Sequence, residues 1–129
     1  MSVADLVPLL QELRDWLNEA KGPNGVNGSQ GQLSDPRKSY VRTRLDSVQA
    51  GIAQIRDPHD PAALSPPDIG NVITTYDPTT TAAYASDCYT LALEAYNNAN
   101  GPLFTNQYVG DRLATISDLL PGYRTSAGI

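Results

Sequence analysis

The feature that most constrains this chain is a helical spacing of apolar residues that recurs in four separate stretches. It is clearest in Val41, Leu45, Val48, Ile52 and Ile55, which step by four, three, four and three. That rhythm places all five on one side of a helix and makes a seam suited to packing against another helix. Asp35 before Pro36 is a natural start for it, and Asp57-Pro58 a natural stop, because the residue before a proline is pushed out of helical geometry.

The other three stretches follow the same logic. Leu6, Leu9, Leu10, Leu13, Trp16, Leu17 and Ala20 share one face, with Glu12, Asp15 and Glu19 opposite. Pro8 is tolerated there if it lies in the first turn, and Lys21-Gly22 ends the helix. A third stripe of small residues, Ala85, Cys88, Ala92, Ala95 and Ala99, lets a neighbouring helix come close, and Asn100-Gly101-Pro102 ends it. A fourth runs through Val109, Leu113, Ile116 and Leu120, with Thr105 as N-cap and Phe104 packing on Val109. Pro121-Gly122 is expected to close it. The spacing therefore predicts helices over about 5–21, 36–56, 79–99 and 106–120, in one domain spanning 1–129. The fold class is all-α: a four-helix bundle with a long Pro-rich loop between its second and third helices and an extended C-terminal tail, 121–129.

Two segments do not fit a compact bundle. Gly22, Gly25, Gly28 and Gly31 fall every third residue, too few triplets for a collagen helix and without the Lys-Ser or Lys-Thr that a phosphate loop needs. They read as a flexible or partner-ordered loop. The connection at 57–78 far exceeds the roughly 2–8 residues usual between bundled helices. It carries Pro58, Pro61, Pro66, Pro67 and Pro78 and one β-prone run, Val72 to Tyr76. Two uses weigh equally for it: an arm reaching a neighbour, where it adds a strand, or a loop wrapping its own bundle.

Chemistry-bearing residues are sparse. One histidine, His59, and one cysteine, Cys88, cannot make a zinc site, and Asp57-Pro58-His59-Asp60 lacks the ligand pattern of a calcium loop. Cys88 falls on the small-residue stripe, where a free cysteine behaves as a small hydrophobe. No catalytic residue, metal or cofactor is assigned. Fourteen acids against nine bases give a net charge of −5, which argues against general or sequence-specific affinity for nucleic acid. No run approaches the roughly 18–20 apolar residues of a membrane span, and the start of the sequence lacks the pattern of a secretory signal, so a cytoplasmic origin is expected.

Interface candidates are easier to name. Arg37, Lys38, Arg42 and Arg44 put four of the nine bases inside eight residues, either as a solvated helix face or as a contact for an acidic surface or phosphates. Val72, Ile73 and Tyr76 in the long connection, and Tyr123, Arg124 and Ile129 in the tail, complete the set. The chain has seven tyrosines and one phenylalanine, a bias that suits surfaces apolar in body and polar at the tip.

Four short helices, the 57–80 segment and the 121–129 tail together resemble the head-to-tail adaptor, or connector, proteins of tailed bacteriophages. That resemblance implies a non-enzymatic virion component. It implies a homo-oligomer contacting portal or tail proteins, with arms and tails gripping neighbours, formed in the host cytoplasm and then carried in the particle. By it, the Arg37 to Arg44 cluster faces an acidic neighbour or the DNA channel. The competing expectation is a small acidic inhibitor or immunity-type protein that binds a basic target.

Overall fold

The computed structural model describes residues 7, 8, 10–12, 14, 15, 35–57, 70–102 and 105–129. The expected Gly-rich loop, Phe104 and the first part of the long connection lie outside them. Helical residues 7, 8, 10–12, 14 and 15 form α1; α2 is Asp35–Ile55, α3 Thr81–Ala99 and α4 Asn106–Ala127. No strand occurs among the described residues, so the fold is all-α. Among the same residues, no helix is long and apolar enough to cross a membrane.

The principal pair is α3 with α4. Contacts between Thr81 and Ser126, between Tyr84 and Gly122, and between Glu94 and Arg112 descend one helix as they climb the other, so the pair is antiparallel. The small-residue stripe of α3 is buried throughout, from Ala85 to Ala99, and Leu91 joins it. Val109, Leu113, Ile116 and Leu120 of α4 are buried with it. Thr80 caps α3, its Oγ1 accepting the Ala83 N–H at 3.1 Å. Asn98 shapes the turn into α4: its Oδ1 accepts the Thr105 N–H at 3.0 Å. Thr105 is the N-cap of α4 in backbone terms only, because its hydroxyl makes no capping hydrogen bond.

The seam of α2 is buried at all five positions, Val41 to Ile55, in the same core. Toward the C-terminal end of α4, Arg124 bonds Asp46 at 2.8 Å and Gln49 at 2.9 Å, which ties α2 to that end. From α1, Leu10 is fully buried, and the Arg14 guanidinium lies over the Tyr96 ring of α3, 4.5 Å from its centroid.

The expected end of the last helix is corrected. Pro121-Gly122 does not stop α4, and an extended tail at 121–129 is absent: the helix continues to Ala127. Pro121 removes the donor for the Ser117 carbonyl, a defect that costs about 3 kcal/mol in a helix interior. Beyond it the chain buries Tyr123 completely and Ala127 nearly so, and Arg124 makes its ion pair. These tertiary contacts outweigh the local penalty. The true stop is Gly128, at φ 75°, with the Gly128 N–H bonded to the Thr125 carbonyl at 3.3 Å and the Ile129 N–H to the Arg124 carbonyl at 2.8 Å. Those are the two hydrogen bonds of a Schellman ending, with apolar Ile129 folded back on the core.

Tyr123 supplies a direct check on this packing. Its hydroxyl is buried and has no hydrogen-bond partner among the described residues, so it bears a desolvation cost with no return. Tyr123→Phe is expected to leave stability unchanged or raise it by up to about 1 kcal/mol. Tyr123→Ala should lower it by about 3–5 kcal/mol by leaving a cavity. Urea unfolding curves of the three proteins measure both.

Candidate functional site

Residues 70–80 of the long connection, the strap, lie against α4 and the core. Three local features of α4 hold them there. Gly70 has φ 98°, a conformation that side chains resist, and a Cβ on it would overlap the Gly110 carbonyl, so backbone meets backbone at this point. One residue on, the Asn71 N–H donates to Asp111 Oδ1 at 2.8 Å, and the Ile73 N–H donates to Thr115 Oγ1 at 2.8 Å. The Thr115 hydroxyl gives its own proton to the Asp111 carbonyl at 2.7 Å, which leaves its lone pairs toward the strap. Asp111 and Thr115 are four apart and so share a face of α4. Alternate N–H groups of the strap point at that face. Ile73 and Tyr76 pack on the core, Pro78 is buried, and Val72 remains 42% exposed. The β-prone run is not a strand here: Thr74 and Thr75 form a turn.

Near Tyr76 stand Glu94 and Asp87 of α3 and Arg112 and Tyr108 of α4. The Arg112 guanidinium lies over the Tyr108 ring, 3.4 Å from its centroid, bonds the Tyr108 carbonyl at 3.2 Å and reaches Glu94 at 3.8 Å. Burial raises the Tyr76 hydroxyl pKa above its ordinary value, helped by the negative charges of Glu94 and Asp87 and opposed by Arg112. Asp87 is also raised, by burial. The Glu94–Arg112 pair joins α3 to α4 by charge.

The other interface candidates separate into two places. Arg42 and Arg44 are both exposed but leave α2 on opposite flanks of its buried seam, with the Arg44 guanidinium 5.2 Å from the Tyr40 ring centroid. Lys38 approaches Gly128 at the C-terminal end of α4, where a cation is favoured by the helix dipole. The side chain of Arg37 lies outside the described residues. Arg124 is committed to Asp46 and Gln49, and with Ile129 it lines a shallow concavity between α2 and α4. Tyr123 is corrected as an interface residue: it is fully buried, because α4 continues past Pro121 and turns it inward. Val72, Ile73 and Tyr76 sit together on the strap, away from these.

No chemistry-bearing constellation forms around Cys88. It is fully buried beside Tyr123, and burial pushes its thiol up to about 12, with Asp87 adding to the rise. A thiol held protonated is a poor nucleophile. Among the described residues no three His, Cys, Asp or Glu side chains gather where they could hold a metal ion. His59 lies outside them.

Comparison with protein-family models, with curated proteins and with solved structures finds no match to this chain.

Several residues that build this site carry no signal of their own in the sequence. Glu94 and Arg112, or Asp46 and Arg124, are paired only by the register of helices distant in sequence. The Gly128 ending did have a signal, a glycine followed by an apolar residue after a helical stripe.

Two outcomes test the arrangement. Gly70→Ala must relieve both the positive φ and the overlap with Gly110, so stability should fall by about 1–3 kcal/mol, read from thermal melts. Alkaline pH should also unfold the protein. Cys88 and Tyr123 are raised in the folded state from 9.0 and 10.0 to about 12 each, so the unfolded chain loses those protons first. Their contribution is complete below about pH 9 and is lost as pH climbs toward about 12. Melting temperature followed across that range should fall, and less steeply in Cys88→Ala.

Proposed function

We propose that this chain is a non-enzymatic structural and assembly protein that works as an oligomer, of the kind that forms a head-to-tail adaptor in the neck of a tailed bacteriophage. It assembles in the host cytoplasm with portal or tail components and then resides in the virion. The observation that carries the reading is how the chemically versatile side chains are used. Arg112, Glu94, Arg124 and Asp46 are spent on joining helix to helix, and Cys88 and Tyr123 on filling the core. The exposed side chains include Arg42, Arg44, Tyr40 and Val72. The helical hairpin with its strap supports the same reading through the resemblance noted above. The C-terminal residues contribute as a helix ending, not as a gripping tail.

The test is the mass of the protein in solution by light scattering over a range of concentrations, alone and with a candidate portal ring. A discrete oligomer, or one that forms on the portal, is expected. A strict monomer that joins no portal, and instead forms a one-to-one complex with a basic protein, would overturn the proposal in favour of an acidic inhibitor.

A further inference from the structure

The strap is fixed more lightly than the helices it rests on. Among the described residues, its polar fixtures on α4 are the hydrogen bonds from the Asn71 and Ile73 N–H groups, and the first is exposed. Ile73 and Tyr76 are only partly buried, and the side chains at 71, 72, 74 and 75 are exposed. By contrast Leu91, Leu113, Ile116 and Leu120, in the core of α3 and α4, are fully buried. A segment with few buried apolar contacts and exposed main-chain hydrogen bonds opens at lower free energy than the core beside it.

Two carboxylates meet the strap, one from each helix. Asp111 of α4 accepts the Asn71 N–H at 2.8 Å, and a charged acceptor makes a stronger hydrogen bond than a neutral one. Thr115, one turn on, takes the Ile73 N–H, so the first bond aligns the strap for the second. Asp87 of α3 stands close enough for its charge to act on the Tyr76 hydroxyl. It is half-buried, and among the described residues it has neither a hydrogen bond nor an ion pair. Burial raises its pKa, as expected of a carboxylate denied water without compensation. The guanidinium nearby, Arg112, is engaged by Glu94 and by the Tyr108 carbonyl. Glu94 Oε1 is itself buried and unpaired among the described residues. The closed strap thus leaves negative charge short of water on its α3 side.

We propose that the strap is a lid that opens as one unit while the helices stay packed, with Asp111 as its latch and Asp87 as the charge that works against closure. Opening withdraws Ile73 and Tyr76 from the core and uncovers the Thr115 hydroxyl, which is fully buried when the lid is shut. It therefore offers a surface that the closed molecule does not have. A partner that needs that surface binds more weakly in proportion to the fraction of molecules open, so the latch sets how readily it is offered. This does not rest on the assembly reading, since the lid would gate a partner of any kind.

The experiment follows amide hydrogen exchange of the full chain by NMR, from zero to low urea, in the wild type and three variants. These are Asp111→Ala, Asp87→Asn and Ile52→Val, and circular dichroism melts confirm that each folds. Ile73 is the reporter, because its amide is bonded to Thr115 and to none of the altered side chains. In the wild type it should exchange at least about 100-fold faster than the slowest amides of α3 and α4, with a weaker dependence on urea. Asp111→Ala should speed Ile73 exchange by about tenfold or more, the worth of a hydrogen bond to a charged acceptor. Asp87→Asn should slow it, because a neutral amide is less costly to cover than a carboxylate. Ile52→Val, a core change on α2, should speed the slowest amides and leave Ile73 unchanged, because α2 stays packed when the lid opens. An Ile73 amide that exchanges with the rate and urea dependence of the slowest amides, or speeds up with them in Ile52→Val, would overturn the lid. An unchanged Ile73 rate in Asp111→Ala would remove the latch, and an unchanged or faster one in Asp87→Asn would remove the opposing charge.

Discussion

The close approach of α3 to α4 is the contact on which the rest of the molecule depends. Alanines and a cysteine at Ala85, Cys88, Ala92, Ala95 and Ala99 present little bulk, so the larger Leu and Ile side chains of α4 fill the space between the two helices. Packing at interior density then leaves the depth of the core to Leu113, Ile116, Leu120 and Tyr123. Everything else is positioned from this pair. The strap is held by side chains of α4, α2 is tied to the last turns of α4, and α1 reaches Tyr96 on α3. A larger residue on the stripe would separate the helices and displace all three attachments.

The same pair explains why α4 is longer than its local chemistry suggests. A proline followed by a glycine is a strong stop when a helix stands alone. Here the residues beyond it have somewhere to go: Tyr123 enters the core beside Cys88, and Gly122 leaves room for the Tyr84 ring, which a Cβ there would approach to 2.6 Å. Local propensity was outvoted by burial, as a weak preference should be.

This marks what was legible beforehand. Periodicity identifies the faces, so the buried seams of α2, α3 and α4 agree with the spacing of Val41 to Ile55, Ala85 to Ala99 and Val109 to Leu120. Periodicity is a property of one segment. It carries no information about which segments meet, and so the Glu94–Arg112 and Asp46–Arg124 pairs, the docking of Gly70 on Gly110 and the burial of Tyr123 were out of its reach. The basic run at Arg37 to Arg44 was visible as composition, but that Lys38 meets the end of α4 while Arg44 meets α1 is a property of the folded molecule.

The strap is held in a way that bears on how this surface can change. Its two hydrogen bonds to α4 come from the main chain at Asn71 and Ile73, and its third fixture is a glycine backbone contact. Of the side chains at 71 to 75, only Ile73 is packed on the core; those at 71, 72, 74 and 75 are exposed. The identity of those four outward residues is thus decoupled from the fixtures that hold the segment. Mutation can rewrite what the strap offers to the outside while the molecule that displays it stays the same, much as a label can be reprinted without altering the bottle.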